Sequence, residues 1–337
     1  MKNGAHPNIL VAGGAGFIGS HLVDALLATG ANVTVLDNLQ TGRRSNLDHL
    51  RAQPRLDVVE ADVIAPLPAT VRRRAYTRIY NLACAASPPH YQADPEHTML
   101  TSVVGTHALL RLAEAHDARF LQASTSEVYG DPDQHPQRED YTGNVNCTGP
   151  RACYDEGKRA AETLAFDFVR AGRVDARVPR IFNTYGPRMR ADDGRVVSNV
   201  VYQALSGDPI TIYGDGSQTR SFAYVSDLVA GLIALMEHPG PLPGPVNLGN
   251  PVELTVRDLV HRVLAMTGSR SELVERPLPV DDPRRRKPDI ARAEKLLGWR
   301  PMVALADGLK PTIAWFAAEH ARAEPETKLA RVASAVA

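Results

Sequence analysis

Strand-like runs of apolar residues alternate with helix-like stretches along the first half of the chain. The strand-like runs lie at residues 9–12, 33–36, 57–60, 79–83, 119–123 and 178–182. Between them, residues 18–29 and 101–116 carry apolar side chains at helical spacing, and Gly30 ends the first of these stretches. Strands that alternate with helices are typical of a parallel sheet with helices on both faces. The pattern therefore predicts an α/β fold built on a doubly wound parallel sheet.

The second half of the chain departs from this alternation. Two loop-rich stretches, YGPRMRADDGR from residue 185 and YGDGSQTRS from residue 213, follow the sixth strand-like run. A helix-like segment at residues 226–237 and the strand-like PVNLG from residue 245 then indicate a return to the sheet. Pro179 lies inside the sixth run, and because proline has no N–H to donate to a ladder, we expect a local irregularity there.

These changes divide the chain into two interleaved domains and a tail. The predicted units are a sheet domain of residues 1–183, rejoined by about 221–250, a smaller C-terminal substrate domain of residues 184–220 and 251–319, and a tail of residues 320–337. The tail is rich in Ala, Glu and Arg and has no evident packing partner, so we expect it to be disordered.

The composition excludes several classes of partner. The 337 residues include 38 basic and 38 acidic side chains, so the formal net charge is zero and no surface for nucleic acid or an anionic membrane is expected. The longest apolar run, near residues 228–236, is too short to span a bilayer, and the N-terminus shows no signal-peptide pattern. Cys84, Cys147 and Cys153 are odd in number and lack metal-ligand spacing. We therefore expect a cytoplasmic protein with neither a metal site nor disulfides.

The first strand runs into a glycine-rich turn, ILVAGGAGFIGSHL at residues 9–22, in which Gly13, Gly16 and Gly19 lie three residues apart. Glycines allow a tight turn and a close approach of the backbone to a pyrophosphate, and the following helix presents free amides and a positive dipole end. The motif alone is weak evidence, because a plain glycine turn looks the same. Here it follows a strand, opens a helix, and is followed by Asp37 at the end of the next strand, which is the context that a dinucleotide-binding Rossmann domain requires.

Asp37 bears on which dinucleotide is bound. A carboxylate at this place accepts hydrogen bonds from the adenosine ribose and repels a 2′-phosphate, so NAD is favoured over NADP. Arg43 and Arg44 follow closely and are the contrary signal, for NADP. Asp62 ends the third strand, where its carboxylate either meets the adenine or serves only the turn. The predicted NAD-binding residues are Gly13, Gly16, Phe17, Ile18, Gly19, Asp37, Asn38, Gly42, Asp62, Val63, Leu82, Tyr154 and Lys158.

A second group of polar residues follows the fifth strand-like run. STSEVYG, residues 124–130, places Thr125, Ser126 and Glu127 at the carboxyl end of a strand, where ligands bind in open α/β sheets. Tyr154 and Lys158 lie four residues apart, on one face of any helix that contains them. A neighbouring ammonium and an oxidised nicotinamide both favour the phenolate, so Tyr154 would take a proton from a substrate hydroxyl while hydride leaves for NAD. The alternative is an ordinary surface helix with a packed tyrosine.

Together these residues resemble a known family. The glycine spacing, Asp37, Thr125 and the Tyr154–Lys158 pair resemble the extended short-chain dehydrogenase/reductases that act on nucleotide sugars. Within that family, SPPHYQ, GPRACYDEGKR, RIFNTYGPRM, DGRVVSN, VNLGNP and RRKPDI are similar to the UDP-glucuronate decarboxylases, and the likeness runs from about residue 8 to 316. The resemblance implies bound NAD, UDP-glucuronate as substrate, and a homodimer with helices 101–116 and 153–170 at its interface.

The reaction that the resemblance implies is redox-neutral. NAD oxidises the sugar 4-hydroxyl, with Tyr154 as base and Thr125 as positioning group; the 4-keto acid loses carbon dioxide; reprotonation and return of hydride then give UDP-xylose. Arg220 is expected near the sugar carboxylate, and Lys158 on the nicotinamide ribose. The residues expected around the UDP portion are Asn183, Arg195, Tyr213 and Arg286. Arg284 and Arg285, beside Arg286, fit a solvated charge run equally well.

Ser126 separates this reaction from a related one. Dehydratases of the family have Asp at this position to protonate a departing hydroxyl, whereas carbon dioxide leaves without an acid. Glu127 is expected to orient a water molecule or to relay the last proton, with electrostatic crowding of the substrate carboxylate as a further hypothesis. The alternatives that stay open are a 4-epimerase or 4,6-dehydratase of the same fold and a non-catalytic NAD-binding protein.

Two residues depart from the family pattern. In LTSVVGT, from residue 100, Leu100 replaces a family Lys and Ser102 replaces an Asn. Because that Lys is expected near the substrate diphosphate or carboxylate, its replacement bears on substrate affinity and identity.

Overall fold

The computed structural model describes residues 6–278 and 285–336, with side chains as far as residue 322. Its strands are Asn8–Ala12 (β1), Asn32–Asp37 (β2), Leu56–Glu60 (β3), Arg78–Asn81 (β4), Arg119–Gln122 (β5), Ser124–Thr125 (β6), Ala176–Arg177 (β7), Pro179–Ile181 (β8), Thr184–Tyr185 (β9), Ile210–Tyr213 (β10), Thr219–Ser221 (β11), Ala223–Tyr224 (β12), Val246–Leu248 (β13), Glu253–Thr255 (β14), Leu273–Arg276 (β15) and Arg285–Arg286 (β16). Its α-helices are Phe17–Ala28 (α1), Ala69–Arg73 (α2), Pro88–Ala93 (α3), Pro95–Leu100 (α4), Thr106–His116 (α5), Ala152–Arg170 (α6), Val196–Ser206 (α7), Val225–Glu237 (α8), Val256–Thr267 (α9), Ala291–Leu297 (α10) and Leu305–Val336 (α11). Short 3-10 helices lie at Arg44–Leu50 and Ser126–Tyr129, and a π-helical turn lies at Thr101–Gly105.

Six parallel strands form the central sheet in the order β3-β2-β1-β4-β5-β7. Ile9 of β1 pairs with Val33 of β2 on one side and with Arg78 of β4 on the other. The chain therefore builds outward in one direction through β3 and returns to build in the other from β4. This doubly wound order confirms the predicted fold class. It also opens a crevice at the carboxyl ends of β1 and β4, where the direction changes and where such sheets bind ligands.

Helices cover both faces of the sheet, because successive side chains of each strand point to opposite faces. On one face α1 and α8 pack against Val11 and Val33, and on the other α5 and α6 pack against Leu10 and Phe120. All four of these side chains are fully buried. Burial on both faces is the reason that the strands read as continuous apolar runs in the sequence.

Two strands of the sheet continue after a break of one residue: Ala123 separates β5 from β6, and Val178 separates β7 from β8. β6 pairs with β8, and β8 pairs with β13, again in parallel. The break that separates β7 from β8 falls at Val178, directly before Pro179, and confirms the expected irregularity. β13 is the predicted return of PVNLG to the sheet. The stretch predicted as a helix at residues 101–116 is helical, but its first turn is π-helical and continues from α4.

A third apolar cluster lies apart from the two layers on the sheet. It is built mainly from α7, α9 and the first turns of α11, with Val200, Leu259 and Leu309 fully buried. Small ladders edge it: β10 pairs with β15, and β11 lies between β14 and β16. This separate packing supports two interleaved domains, whose residue bounds stay a prediction. The α11 backbone is helical to Val336, within the segment predicted as a disordered tail, because Ala, Glu, Lys and Arg are strong helix formers.

Within residues 6–278 and 285–336, the structure contains no helix that is both long and apolar enough to cross a bilayer.

Candidate active site

A cavity of about 730 Å³ lies between the carboxyl edge of the central sheet and the third apolar cluster. Its walls include every residue that the sequence assigned to NAD, to catalysis or to the substrate. The glycine turn and the ends of β1, β2 and β4 form one side, and residues 183–200 and 211–222 form the other. Residues that are far apart in the chain therefore share one space, although their individual roles stay predictions.

The glycine turn has no room for side chains. Gly13 has a φ of 78°, and a Cβ there would lie 2.7 Å from the carbonyl carbon of Leu82. A Cβ on Gly19 would lie 2.0 Å from the carbonyl oxygen of Gly13. Gly16 is the N-cap of α1 and provides no side-chain acceptor for the first amides of that helix. A bare backbone at the N-terminus of a helix fits the pyrophosphate of a dinucleotide.

Asp37 is buried at the end of β2 and is oriented by backbone amides. Its Oδ2 accepts a hydrogen bond from the amide of Ala15, and its Oδ1 accepts one from the amide of Leu39, each at 2.9 Å. Burial raises the pKa of Asp37, and these two hydrogen bonds lower it in part. A Cβ on Gly42 would lie 2.7 Å from Oδ1, so the carboxylate requires glycine beside it. Each oxygen keeps a second lone pair for a ribose hydroxyl.

The two arginines that signalled NADP have other partners. Arg44 forms an ion pair with Glu60. Arg43 Nη1 lies 3.1 Å from Glu319 of α11, and its Nη2 donates to the carbonyl of Met189 at 3.5 Å. Both guanidinium groups thus lie outside the cavity wall described here. Of Asp37, Arg43 and Arg44, Asp37 is the one that lines the cavity, which favours NAD over NADP.

Asp62 serves the turn and the cavity together. Its Oδ1 accepts a hydrogen bond from the amide of Ile64 at 3.0 Å, which is the turn role. Its Oδ2 accepts one from Asn38 Nδ2 at 2.8 Å and lies 2.8 Å from His97 Nε2. Burial acts to raise the pKa of Asp62, but these hydrogen bonds outweigh it and lower the pKa. His97 also lines the cavity and was missed by the sequence reasoning.

Tyr154 and Lys158 are buried at the start of α6, with 6% and 4% of their surfaces exposed. The Tyr154 ring stacks on Tyr91, with centroids 5.1 Å apart and planes inclined by 4°. Lys158 Nζ donates to the carbonyl of Ala123 at 3.0 Å and lies 5.8 Å from the Tyr154 ring centroid. Both side chains line the cavity, which favours a role in the site over an ordinary surface helix, and that role stays a prediction.

The environment of the Tyr154 phenol differs from the expectation in one respect. Burial raises its pKa, and the negative form of Cys84 raises it further, whereas a hydrogen bond from Thr125 and the charge of Arg195 lower it. The net direction is upward, so Lys158 does not by itself make the phenol a base at neutral pH. Ionisation requires additional positive charge beside the ring, which an oxidised nicotinamide carries.

Glu127 is held between two arginines. Arg286 Nη1 lies 2.7 Å from Oε1, and Arg286 Nη2 donates to Oε2 at 3.1 Å. Arg151 Nη2 donates to Oε2 at 2.7 Å. Burial acts to raise the pKa of Glu127, but the two guanidinium groups outweigh it and lower the pKa to about 2. Glu127 is therefore ionised at neutral pH, which favours the orientation of a water molecule over the donation of a proton.

Arg286 connects Glu127 to its neighbours. Its Nη1 donates to Ser126 Oγ at 2.9 Å, and the side chain is 2% exposed. In the parallel pair of β11 and β16, Arg286 lies directly opposite Arg220. The two predicted arginines are thus adjacent on one ladder, and the predicted role of Arg286 toward UDP stays a prediction.

The remaining residues predicted for the substrate lie on the wall that faces the glycine turn. Arg195 Nη2 donates to the carbonyl of Ala86 at 3.0 Å, and Arg220 Nη1 donates to the carbonyl of Thr219 at 2.9 Å. Asn183 lines the same wall, and Tyr213 lies at its exposed edge. Arg285 is exposed, as a solvated charge would be, and Arg284 lies outside the described residues.

The two departures from the family pattern lie away from the cavity wall. Leu100 is exposed at the end of α4, and Ser102 is buried with its Oγ 3.4 Å from Cys84 Sγ. Neither residue is among those that line the cavity. The expectation that position 100 bears on the substrate therefore has no contact to support it.

Three further residues support the site but were not singled out from the sequence. Tyr91 stacks on Tyr154, Arg151 binds Glu127, and Asp155 lies 4.0 Å from Arg151. The signal for them was present in SPPHYQ and GPRACYDEGKR, two motifs that contain more polar residues than the reaction uses. Among the described residues, no group of three or more His, Cys, Asp or Glu side chains is arranged to hold a metal ion.

This fold and this cavity define a class of protein. The chain belongs to the NAD dependent epimerase/dehydratase family, whose model matches residues 9–249. The predicted family and the predicted cofactor, NAD, are both confirmed by this membership.

Relatives narrow the class further. The chain is 55% identical over 301 residues to UDP-glucuronic acid decarboxylase 4 of Arabidopsis thaliana, a match that covers 89% of this chain and 66% of that protein. It is 51% identical over 311 residues to UDP-glucuronic acid decarboxylase 1 of Danio rerio, covering 92% and 73%. The chain thus spans about two thirds of the length of these relatives. The likeness to UDP-glucuronate decarboxylases that the motifs carried is confirmed.

A solved structure has the same fold. UDP-glucuronic acid 4-epimerase of Bacillus cereus, in complex with UDP-glucuronic acid and NAD, superimposes with a TM-score of 0.83 at 26% identity, covering 92% of this chain and 98% of that one.

Proposed function

We propose that this protein converts UDP-glucuronate to UDP-xylose and carbon dioxide with the help of tightly held NAD. The arrangement that best supports the reaction is the contact of Arg286 with Ser126 and Glu127, in the cavity that also contains Tyr154. It places an ionised carboxylate and an uncharged hydroxyl, both held by one arginine, in the same cavity as the predicted catalytic tyrosine. Relatives named as UDP-glucuronic acid decarboxylases support the same assignment.

The residues around the glycine turn fit NAD, as the bare backbone and the Asp37 carboxylate indicate. Bound NAD would accept hydride from the sugar C4 and later return it, and its oxidised ring would favour the Tyr154 phenolate. Tyr154 takes the proton of the 4-hydroxyl, and Thr125, within hydrogen-bonding reach of the phenol, orients that hydroxyl. Lys158 is held near the Tyr154 ring by its hydrogen bond to the carbonyl of Ala123.

The 4-keto sugar acid then loses carbon dioxide, because a carboxylate two carbons from a ketone can leave its bonding electrons in an enolate. Arg220, which lies opposite Arg286 on the β11–β16 ladder, receives the carboxylate before it departs. A proton adds to C5 from a water molecule that Glu127 orients, and the hydroxide that remains takes a proton from solvent, so one proton is consumed in each cycle. Tyr154 returns its proton to the 4-oxygen in the last step, when bound NAD would supply hydride to C4, so Tyr154 ends the cycle unchanged.

The electrostatics favour this reaction over dehydration. A dehydratase must protonate a departing hydroxyl, and a carboxylic acid near the sugar serves that purpose. Here Ser126 is a hydroxyl bound to Arg286, and Glu127 is held in its ionised form by two arginines. A 4-epimerase needs only Tyr154 and Thr125, so it is the alternative that the test must distinguish.

The test is to incubate the purified protein with UDP-glucuronate and no added cofactor, and to follow the nucleotide sugars by mass spectrometry and NMR. A product that is lighter by one carbon dioxide and has the xylo configuration at C4 supports both the decarboxylase and retained NAD. UDP-galacturonate as product indicates an epimerase instead. Unchanged substrate, even after NAD is added, contradicts the proposal and leaves the non-catalytic alternative.

We also propose that the protein forms a homodimer through the helices of residues 95–116 and α6. Leu100 and Val104 expose 37% and 43% of their surfaces on this helical face. An exposed leucine and valine one turn apart are suited to a helix–helix contact. Light scattering of the protein and of Val104→Glu tests this: a dimer that becomes a monomer supports it, and a monomeric parent protein contradicts it.

We further propose that the protein acts in the cytoplasm. Its three cysteines are free thiols, which suits a reducing compartment. Fractionation of the producing cells, with detection of the native chain, tests the location; recovery outside the cytoplasm contradicts it.

A further inference from the structure

Asp155 is a buried carboxyl that the proposed reaction does not use. It follows Tyr154 on α6, and 7% of its surface is exposed. Its Oδ2 lies 4.0 Å from Arg151 Nε, and its Oδ1 is buried without a hydrogen-bond partner among the described residues. Asp155 is not part of the cavity wall. A carboxyl removed from water in this way needs an explanation, because burial of an unpaired charge is costly.

Arg151 connects Asp155 to the cavity. Its Nη2 donates to Glu127 Oε2 at 2.7 Å, whereas its Nε faces Asp155. Arg151 therefore has a carboxyl group at each end of its guanidinium, and Glu127 in turn has a guanidinium on each side. We call the four residues Glu127, Arg151, Asp155 and Arg286 the charge cluster. Three of them line the cavity, and Asp155 lies behind them.

The net charge of the charge cluster depends on Asp155. Two guanidinium groups and two carboxylates sum to zero, and protonation of Asp155 leaves a net charge of +1. Glu127 stays ionised, with a pKa lowered to about 2. Burial, together with the negative charge of Glu127, raises the pKa of Asp155 to about 7, although Arg151 and Arg286 lower it in part. The cluster thus changes charge close to neutral pH.

Two other ionisable groups that face Asp155 have pKa values raised away from neutrality. Tyr91 of α3 lies near it, and burial raises the pKa of that phenol. On the same helix Cys153 is a neighbour, and burial raises the pKa of its thiol. Glu156, also on α6, is directed to Arg159, 3.4 Å away. Of Asp155, Tyr91 and Cys153, Asp155 is therefore the one with a pKa near neutrality.

We propose that Asp155 is a positioning residue for the substrate's carboxylate: through Arg151 it sets the charge that the cluster presents to the sugar acid. With Asp155 neutral, Glu127 is the one ionised carboxylate of the charge cluster that contacts Arg151, and the cluster attracts a carboxylate beside Arg286 and Arg220. With Asp155 ionised, Arg151 is shared and the attraction weakens. The inference rests on the proposed function, since it takes a sugar acid as the ligand.

The experiment measures binding rather than turnover, so that its result is independent of the reaction. In a Tyr154→Phe protein, the Kd of UDP-glucuronate and of UDP-glucose is measured by calorimetry between pH 6 and 8.5. We expect the Kd of UDP-glucuronate to rise about tenfold over this range, which is the order of effect of one unit charge within about 10 Å at an effective dielectric of about 20. UDP-glucose, which lacks the carboxylate, should show no such rise.

Adding Asp155→Asn should remove the rise and keep the Kd of UDP-glucuronate near its value at pH 6. Adding Glu156→Gln, which removes a charge from the same turn of α6 without contacting Arg151, should leave the rise in place. An equal rise in the Asp155→Asn protein overturns the proposal, and so does a rise shared by UDP-glucose or a failure to bind UDP-glucuronate at any pH.

The two proposals fail in different ways. If the unaltered protein makes no UDP-xylose but Asp155→Asn removes the pH dependence of binding, the reaction is wrong and the role of Asp155 holds. If UDP-xylose forms and Asp155→Asn changes nothing in the binding profile, the role of Asp155 is wrong and the reaction holds.

Discussion

The guanidinium of Arg286 contacts both carboxylate oxygens of Glu127, with Nη1 2.7 Å from Oε1 and Nη2 3.1 Å from Oε2. A two-point contact of this kind fixes direction as well as charge. The same Nη1 also donates to Ser126 Oγ. The orientation of Glu127 in the cavity is therefore set by β16, a strand remote in sequence from the STSEVYG motif.

Glu127→Gln should lower kcat by about a hundredfold, in line with the usual contribution of a group that directs a proton transfer. The amide replaces one acceptor oxygen with an NH2 donor, so the two-point contact with Arg286 is lost and the water that protonates C5 is no longer oriented. Steady-state formation of UDP-xylose measures the effect. Glu114→Gln is the control, because Glu114 is also held by two arginines but lies on the protein surface. Near-normal turnover of Glu127→Gln would remove Glu127 from the mechanism.

Glu127 should also give the fold a particular acid sensitivity. Its pKa is about 2 in the folded protein and lies near the ordinary 4.5 when unfolded, so its ion pairs stabilise the fold above pH 4.5. That stabilisation is lost as the pH falls through 4.5 toward 2. One such group costs about 1 kcal/mol between pH 5 and 3.5.

Urea unfolding at these two pH values measures this loss, with Asp155→Asn in both proteins so that only one carboxyl of the cluster titrates. The protein that retains Glu127 should lose about 1 kcal/mol more than the one that carries Glu127→Gln. Equal losses in the two proteins contradict the assignment of the low pKa.

Tyr154→Phe should lower turnover by about a thousandfold while NAD stays bound, because the phenol oxygen is lost and the stack on Tyr91 is kept. Turnover and the NAD released on denaturation are both measured. Tyr80→Phe is the matched control, since that phenol is fully buried in the sheet and does not line the cavity. Unchanged turnover of Tyr154→Phe would favour the non-catalytic alternative.

Gly19→Ala should reduce bound NAD by at least about tenfold, because its Cβ would lie 2.0 Å from the Gly13 carbonyl and force the turn apart. The NAD content of the purified protein and its thermal unfolding are the measurements. Gly172→Ala is the control: it introduces backbone strain, with a φ of 67°, but no atom lies within 4 Å of the new Cβ. NAD loss in Gly172→Ala as well would show general destabilisation, not a specific clash.

The sequence predicted what depends on local pattern. The strands around the glycine turn and the positions of Thr125, Tyr154 and Lys158 follow from periodicity and from motifs that act over a few residues. The kinked strand at Pro179 follows from the chemistry of proline. These features need no knowledge of distant contacts.

Contacts between segments that are remote in sequence were not predicted, because they depend on the fold and not on a local pattern. Nothing in the pattern of β16 shows that Arg286 reaches Ser126 across 160 positions, and nothing near Asp62 points to His97. The raised pKa of Tyr154 depends mainly on burial, which cannot be read from a local motif. The charged residues of GPRACYDEGKR did carry a signal, since an exposed helix start has no need of both Arg151 and Asp155.

The contact between Arg43 and Glu319 has a consequence for the lifetime of the complex with NAD. It fastens the last helix to the loop beside Asp37, and Arg190 reaches the carbonyl of Thr41 in the same loop at 3.5 Å. The loop after Asp37, which lines the cavity, is thus held from outside by contacts with two remote segments of the chain. Because the proposed reaction would return NAD to its oxidised form in each cycle, slow dissociation of NAD would not limit turnover. We expect NAD to persist through many turnovers, as a resident part of the protein.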